Sequence, residues 1–530
     1  MSIATISATD PLFQCSLGSL SRGLDFLQLL LRFSKFYARC AEFNRRTLLM
    51  FHASDYTDLL GQLEQFFADA QKPIAHPLDP NELRDRLSLD EFTDGPIDGR
   101  PAAELRTDIA DYLTYSVRTA HPQYFNQLWG GFNASCFMGD LLTSATNTSM
   151  YTYEVAPVAT LVEKTLIAKM GKLVGFENPD GQFTTGGSNG NLMAMAIARH
   201  HAGPHLKHEG MVNGPQLIAF ISAEAHYSFA KAAQLLGFGT AQLWPVPVDE
   251  TGRMVVTELE SLIAKAQSLG HQPFLVVGTA GTTVRGSYDP LADIATVAQR
   301  EGLWFHVDGA WGASVLLSET HRHLMAGVEQ ADLVVWDAHK MMGMTLMCSV
   351  LLVKQRGHML NTFDTHGTEY IFHDADGHDV SEDLVDLGPS TMHCGRRVDA
   401  VKLWLTWKHL GDRGWQDLID RYFVLAAQAE AIINAHESLE LVTPRQSLNL
   451  CFQYIPKNPH LDPNVFSRKI RHALWQAGIA MVNYAQVADK TVLRLVLCNN
   501  QTQPTDIDAF FDAVVAIAQR LEQEVSDAVP

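Results

Sequence analysis

Five short apolar segments, Gln216–Ser222, Pro273–Thr279, Leu303–Val307, Leu333–Trp336 and Ser349–Val353, constrain the fold more than any other feature of this chain. Their apolar residues run continuously instead of alternating with polar ones, so strands built from them must be covered on both faces. Several are separated by stretches of helical length, which is what parallel pairing through crossover helices requires. An open, doubly wound α/β sheet follows. Ligands of such sheets bind beyond the carboxyl ends of the strands, so chemistry is expected in the residues directly after each apolar run.

The flanking regions read differently. Residues 1–115 look mainly helical: Tyr56, Leu59, Leu60, Leu63, Phe66 and Phe67 form one apolar face, and Pro73, Pro77 and Pro80 then break the chain into a loop. Residues 116–410 hold the strand candidates and end in a helix, Val398–Leu410, closed by Gly411 and a polar turn. Residues 411–530 change to strands at Leu448–Tyr454, Ala480–Tyr484 and Val492–Leu497 with helices near 464–476 and 505–524, a small α+β domain.

Composition narrows the partners. Of 530 residues 46% are hydrophobic, enough for a sizeable core and incompatible with a disordered chain. Forty basic residues against 59 acidic ones leave a formal charge of −19, which disfavours nucleic acid and anionic membrane as main partners. Seven cysteines, odd in number and never spaced as CxxC, read as reduced thiols of a cytoplasmic protein, without a disulfide framework or zinc site. The first twenty residues lack Lys and Arg, against a secretory leader, and the run Leu24–Phe33 is too short and too polar to span a bilayer.

The strand ends carry a coherent set of groups. Glu224-Ala-His226-Tyr-Ser228 follows the first apolar run, Gly281-Thr-Thr283 the second, Asp308-Gly-Ala310 the third and Asp337-Ala-His339-Lys340 the fourth. Upstream, Thr184–Asn191 is a glycine-rich turn, with Gly187 and Ser188, opening the helix-like Leu192–His200 and offering free backbone N–H groups to a phosphate. Each signal alone has a plainer reading: a turn and cap, a core histidine, a solvated lysine. Their joint placement on one edge matches the parts that hold pyridoxal phosphate. Lys340 would form the Schiff base, Asp308 would keep the pyridine nitrogen protonated, and His226 would stack on the ring. A dinucleotide oxidoreductase or a nucleoside-triphosphate enzyme fits less well, since no GxGxxG opens a strand-turn-helix unit and no GxxxxGK[ST] occurs; no HExxH is present either.

Read together, His121–Leu128, Asn147–Pro157, Gly186–Asn191, Ser222–Ser228, Thr279–Asp289, His306–Trp311, His339–Gly343 and Cys394–Asp399 make the chain resemble the group II pyridoxal-phosphate decarboxylases. Within them it is most similar to the glutamate, cysteine-sulfinate and aspartate 1-decarboxylase branch, above all to bacterial pyridoxal-dependent aspartate 1-decarboxylases. The resemblance runs from about residue 100 to the C-terminus. It implies a fold-type-I transferase fold with a mostly parallel seven-stranded sheet, and a homodimer with its active site at the interface. It also implies that Thr283 contacts the ring hydroxyl, Ala310 lies against the ring, Ser188 and His339 hold the phosphate, and Arg494 binds the substrate α-carboxylate.

Two positions depart from that pattern. Asp337 stands where family members often carry an Asn that helps grip the phosphate, and a carboxylate beside a dianion is unfavourable unless paired or protonated. In glutamate decarboxylases a loop tyrosine after an Asp-Val-Ser-like triplet is thought to deliver a proton; here Asp379-Val-Ser381 is followed by Glu382, which leaves Glu382 and Tyr370 as candidates.

The resemblance further implies a side-chain acid pocket of Phe125, Asn126 and Gln127 with Trp129 behind it. Glutamate decarboxylases carry a small Ser at the position of Trp129. A bulky ring shortens the pocket, and one methylene is worth ~1–3 kcal/mol of discrimination. An acid one methylene shorter than glutamate is therefore favoured, and aspartate, an abundant metabolite in any cytosol, is the expected substrate, giving β-alanine, a pantothenate precursor; cysteine sulfinate is the main rival and glutamate the next. Readings from other classes are a catalytically weak binding or regulatory protein on the same fold, and an aminotransferase or cysteine lyase.

Overall fold

The computed structural model describes residues 53–68, 72–93, 102–212, 214–365, 368, 371 and 386–527. The run Leu24–Phe33 and the candidate proton donors Tyr370 and Glu382 lie outside them. The chain divides into two compact units: residues 1–69 with 78–116, and residues 70–77 with 117–530. In the first, helix Ala53–Ala68 confirms the apolar spacing around Tyr56–Phe67, and Arg106 of helix Ala102–Tyr115 pairs with its Asp58 at 3.2 Å. Pro80 opens a short helix, Pro80–Arg86, behind the Asp79 cap instead of extending the loop, because proline at the first helical position loses no hydrogen bond.

Among the described residues of the second unit are twelve strands: β1 (Tyr124–Phe125), β2 (Asp180–Thr184), β3 (Leu217–Ser222), β4 (Leu243–Val246), β5 (Gln272–Thr279), β6 (Trp304–Asp308), β7 (Leu333–Asp337), β8 (Ser349–Val353), β9 (Leu439–Leu441), β10 (Asn449–Tyr454), β11 (Met481–Val487) and β12 (Lys490–Val496). Seven form one sheet in the order β2-β8-β7-β6-β5-β3-β4. Its middle is fully buried: β6, β7 and β8 have no exposed residue, as their unbroken apolar runs require. Pairings among β4, β3, β5, β6 and β7 are parallel, whereas β8 runs antiparallel to both β7 and β2. The expected mostly parallel seven-stranded sheet is thus observed, and β8 is its exception because residues 338–348 are too few for a helical crossover. Neither β2 (DGQFT) nor β4 (LWPV) has a long apolar run, so neither was legible from periodicity.

The second sheet has the order β1-β11-β12-β10-β9, so a two-residue strand from far upstream completes a sheet made otherwise of C-terminal strands. The helical backbone does break at Gly411 as expected (φ 65°, ψ −179°), but a second helix follows directly in place of the polar turn, so that the two form one kinked element from Ala400 to Ala435. A positive φ is open to glycine without a Cβ penalty, so the residue that looked like a stop acts as a kink. Among the described residues no helix is long and apolar enough to cross a membrane.

Candidate active site

The carboxyl ends of β5, β6 and β7 and the start of helix Gly187–Ala202 face one cavity of about 480 Å³. Of the residues singled out in the sequence, Lys340, Asp308, His226, Gly187, Ser188, Thr283, Ala310, Asp337, His339, Arg494, Gln127 and Trp129 all line it.

Asp308 ends β6 and is 4% exposed. Its Oδ1 accepts from the Ala310 N–H at 3.1 Å and its Oδ2 from Asn191 Nδ2 at 3.0 Å, which fixes the carboxylate plane. Asn191 also presents Oδ1 to His306 Nε2 at 2.8 Å. Because Nδ2 is committed to the carboxylate, the imidazole must donate from Nε2. Burial pushes His306 down to about 4, so it works as a neutral ring. The chain His306–Asn191–Asp308 was not read from the sequence: Asn191 is one turn into the helix after Gly187, and His306 precedes Asp308 by two on the same face of β6.

After β7 the backbone turns, with the Lys340 N–H donating to the Asp337 carbonyl at 3.1 Å, and this turn folds the lysine back over its own strand end. Lys340 Nζ lies 3.1 Å from Asp337 Oδ2. His339 Nδ1 is 2.9 Å from the Cys348 carbonyl and its Nε2 is 3.6 Å from Asp337 Oδ2. Burial acts to raise the Asp337 carboxyl, but Lys340, His339 and the Ser349 hydroxyl outweigh it and hold the group below the usual carboxylate range. His226 accepts the Ser228 N–H on Nδ1 at 3.2 Å and packs on Tyr227 at 4.1 Å between ring centroids. Burial lowers its affinity for a proton, keeping a neutral ring at the cavity wall.

The opposite wall comes from elsewhere in the chain. Arg494 of β12 donates from Nη1 to the Thr283 carbonyl at 3.1 Å and from Nη2 to the Asn126 carbonyl at 2.7 Å. Those bonds hold a guanidinium that is 7% exposed at the cavity edge; its Nε is buried without a partner. Trp129 Nε1 donates to Gln127 Oε1 at 2.9 Å, while its ring packs at 5.6 Å from Tyr124. Phe125 does not reach the cavity, contrary to expectation: it is fully buried against Phe510 at 5.1 Å, because successive side chains of a strand point to opposite faces. Asn126 contributes its carbonyl to Arg494 and does not line the cavity with its amide. Asn483 does line it, a residue that only the β11–β12 register, which pairs it with Arg494, could have revealed.

The geometry fits pyridoxal phosphate. A Cβ on Gly187 would stand 2.7 Å from Asp337 Oδ2, and Gly186 has a positive φ of 110° that disfavours any Cβ, so glycine at both positions keeps open a cradle of N–H groups where the helix begins. A buried carboxylate, an amine and an imidazole share the cavity with that cradle. Residues 84–455 match the family described as pyridoxal-dependent decarboxylase conserved domain. The chain belongs to that family. It is 38% identical over 453 residues to human cysteine sulfinic acid decarboxylase, covering 84% of this chain and 90% of the relative. It is 36% identical over 456 residues to human acidic amino acid decarboxylase GADL1, covering 84% and 86%. The crystal structure of mouse CSAD superposes with a TM-score of 0.82 at 35% identity, covering 88% of this chain and 98% of that one. The fold is therefore the fold-type-I arrangement and the cofactor pyridoxal phosphate. The expected likeness to aspartate 1-decarboxylases is corrected at this point, since the relatives named are cysteine-sulfinate and acidic amino acid decarboxylases.

Proposed function

We propose that this protein removes the α-carboxylate of a short acidic L-amino acid, with cysteine sulfinate ahead of aspartate and glutamate last. The names of the relatives move cysteine sulfinate in front of the aspartate that sequence reasoning ranked first on abundance. The two acids share a length, with the acidic group on Cβ, so the pocket argument serves both.

The observation that carries the reading is the pair Trp129–Gln127 in the same cavity as Arg494 and Lys340. An indole N–H can only donate, so the atom it faces on Gln127 must be the amide oxygen, and the amide N–H₂ is left with two donors for an acidic group. Arg494 supplies the second anion contact, and the Trp129 ring limits the length between them. Bound pyridoxal phosphate supplies an aldehyde for the substrate amine and a protonated ring that takes up the electron pair left by departing CO₂. Asp308, held by Ala310 and Asn191, presents its carboxylate where the ring nitrogen needs a partner. Lys340 provides the amine, and neutral His226 flanks the ring without adding a competing charge.

A homodimer completes the proposal. Helix Ala134–Thr146 exposes Met138 and Leu142 at 58% and 50%, and helix Pro157–Val174 exposes Val158 and Leu161 at 69% and 52%, apolar area that a second copy would cover. The test of specificity is kcat/KM for cysteine sulfinate, aspartate and glutamate measured separately on purified enzyme. The expected order is the one given; glutamate turning over fastest would refute the length argument.

A further inference from the structure

Asp337 is a carboxylate at a phosphate cradle. It is 1% exposed, one of its oxygens lies 2.7 Å from where a Cβ of Gly187 would stand, and the same oxygen is 3.1 Å from Lys340 Nζ. The charged and titratable groups facing it are Lys340 and His339 from its own turn and His226 from the turn after β3; the Ser349 hydroxyl on β8 donates to its other oxygen, and helix Gly187–Ala202 begins in front of it. With Lys340 as an ammonium the carboxylate is paired. Once a phosphate dianion occupies the cradle, a second anion stands beside the carboxylate, and the Lys340 nitrogen is drawn away from it toward the cofactor aldehyde.

We propose that Asp337 takes up one proton from solvent when pyridoxal phosphate binds, becoming a neutral hydrogen-bond donor to the phosphate and making cofactor retention pH-dependent. The proposal rests on the pyridoxal-phosphate reading of the cavity. A protonated carboxyl then does what a carboxamide does without a proton, donating one hydrogen bond while adding no charge. The sign follows directly. In the free protein Asp337 is held ionised by Lys340 and His339, so across the neutral range binding must recruit the proton, and each pH unit upward should weaken retention about tenfold relative to a residue that needs none.

The test compares the full-length protein with Asp337→Asn, which keeps the shape and removes the proton requirement, and with Asp337→Ser, which guards against an effect peculiar to Asn. Dissociation constants of pyridoxal phosphate and of pyridoxal are measured from pH 6 to 8 by equilibrium dialysis. Expected for both variants is tighter pyridoxal phosphate binding, by about tenfold or more at pH 8, with the wild-type to variant ratio rising about tenfold per pH unit. Pyridoxal, which lacks the phosphate, should show a far smaller gain. A ratio independent of pH, variants that bind pyridoxal phosphate no tighter, or an equal gain with pyridoxal would each overturn the proposal. Absence of pyridoxal phosphate binding in wild type and variants alike would instead overturn the cofactor reading beneath it.

Discussion

The two ends of the cavity are built on different plans. At the cofactor end Asp308, Lys340 and the glycine turn each lie at, or within three residues of, the carboxyl end of a strand of one sheet, and Asp308 and Lys340 have partners near in sequence: Ala310 two residues from Asp308, Asp337 three from Lys340. At the acid end Arg494 comes from the second sheet and is tied to the carbonyls of Thr283 and Asn126, hundreds of positions away. The first end is rigid by topology, because buried parallel strands cannot shift singly; the second is an assembly of a β12 side chain and two loops joined by a few hydrogen bonds. A family can therefore keep its chemistry while its choice of acid drifts, and substitutions at the two ends should fail differently.

The largest effect is expected at the cofactor end. Asn191→Ala removes the donor to Asp308 Oδ2 and leaves a buried carboxylate short of one partner, a loss of about 1–3 kcal/mol that should weaken pyridoxal phosphate binding and lower kcat about tenfold or more. Titration with pyridoxal phosphate and steady-state kinetics check it; unchanged cofactor affinity would show that the His306–Asn191–Asp308 chain is packing only. Arg494→Lys comes next. A lysine cannot reproduce two N–H bonds to two carbonyls while facing an anion, so KM should rise roughly tenfold while cofactor affinity stays put. Loss of pyridoxal phosphate in this variant would erase the distinction between the ends. The smallest effect belongs to Trp129→Phe, which keeps most of the ring and frees the Gln127 amide to flip. Losing one neutral hydrogen bond of about 0.5–1.5 kcal/mol should raise KM for cysteine sulfinate severalfold with kcat nearly constant. A fall in kcat alone would move Trp129 into the chemistry.

The same difference decides what could be read from the chain. Lys340, Asp308, His226 and the Gly186–Ser188 turn were legible because the residue after a buried strand is already at the ligand edge. Asn191 and His306 escaped because their bond joins two elements, and only the fold places the second turn of a helix over the last three residues of β6. Phe125 is assigned to the pocket by the family resemblance, yet strand alternation turns it into the core, and Asn126 serves through a backbone atom that no side-chain reading reveals. Asn483 depended on a register fixed by pairing with β12. The antiparallel β8 depended on a length argument, eleven residues between strands, that the apolar pattern does not carry.

Asp337 was legible as a departure, while its partners were not. The structure shows a carboxylate compensated by Lys340, His339 and Ser349, which explains how the chain tolerates it and why its cost should surface on cofactor binding.

The central claim is α-decarboxylation driven by the Lys340–Asp308 end on a substrate held by Arg494. Its most direct test is to follow cysteine sulfinate labelled at the α-carboxylate carbon, with the purified protein and pyridoxal phosphate. The account predicts label released as CO₂ in equal amount to the amine formed, and no release by Lys340→Ala. Label retained in an oxo acid, or equal release by Lys340→Ala, would contradict it.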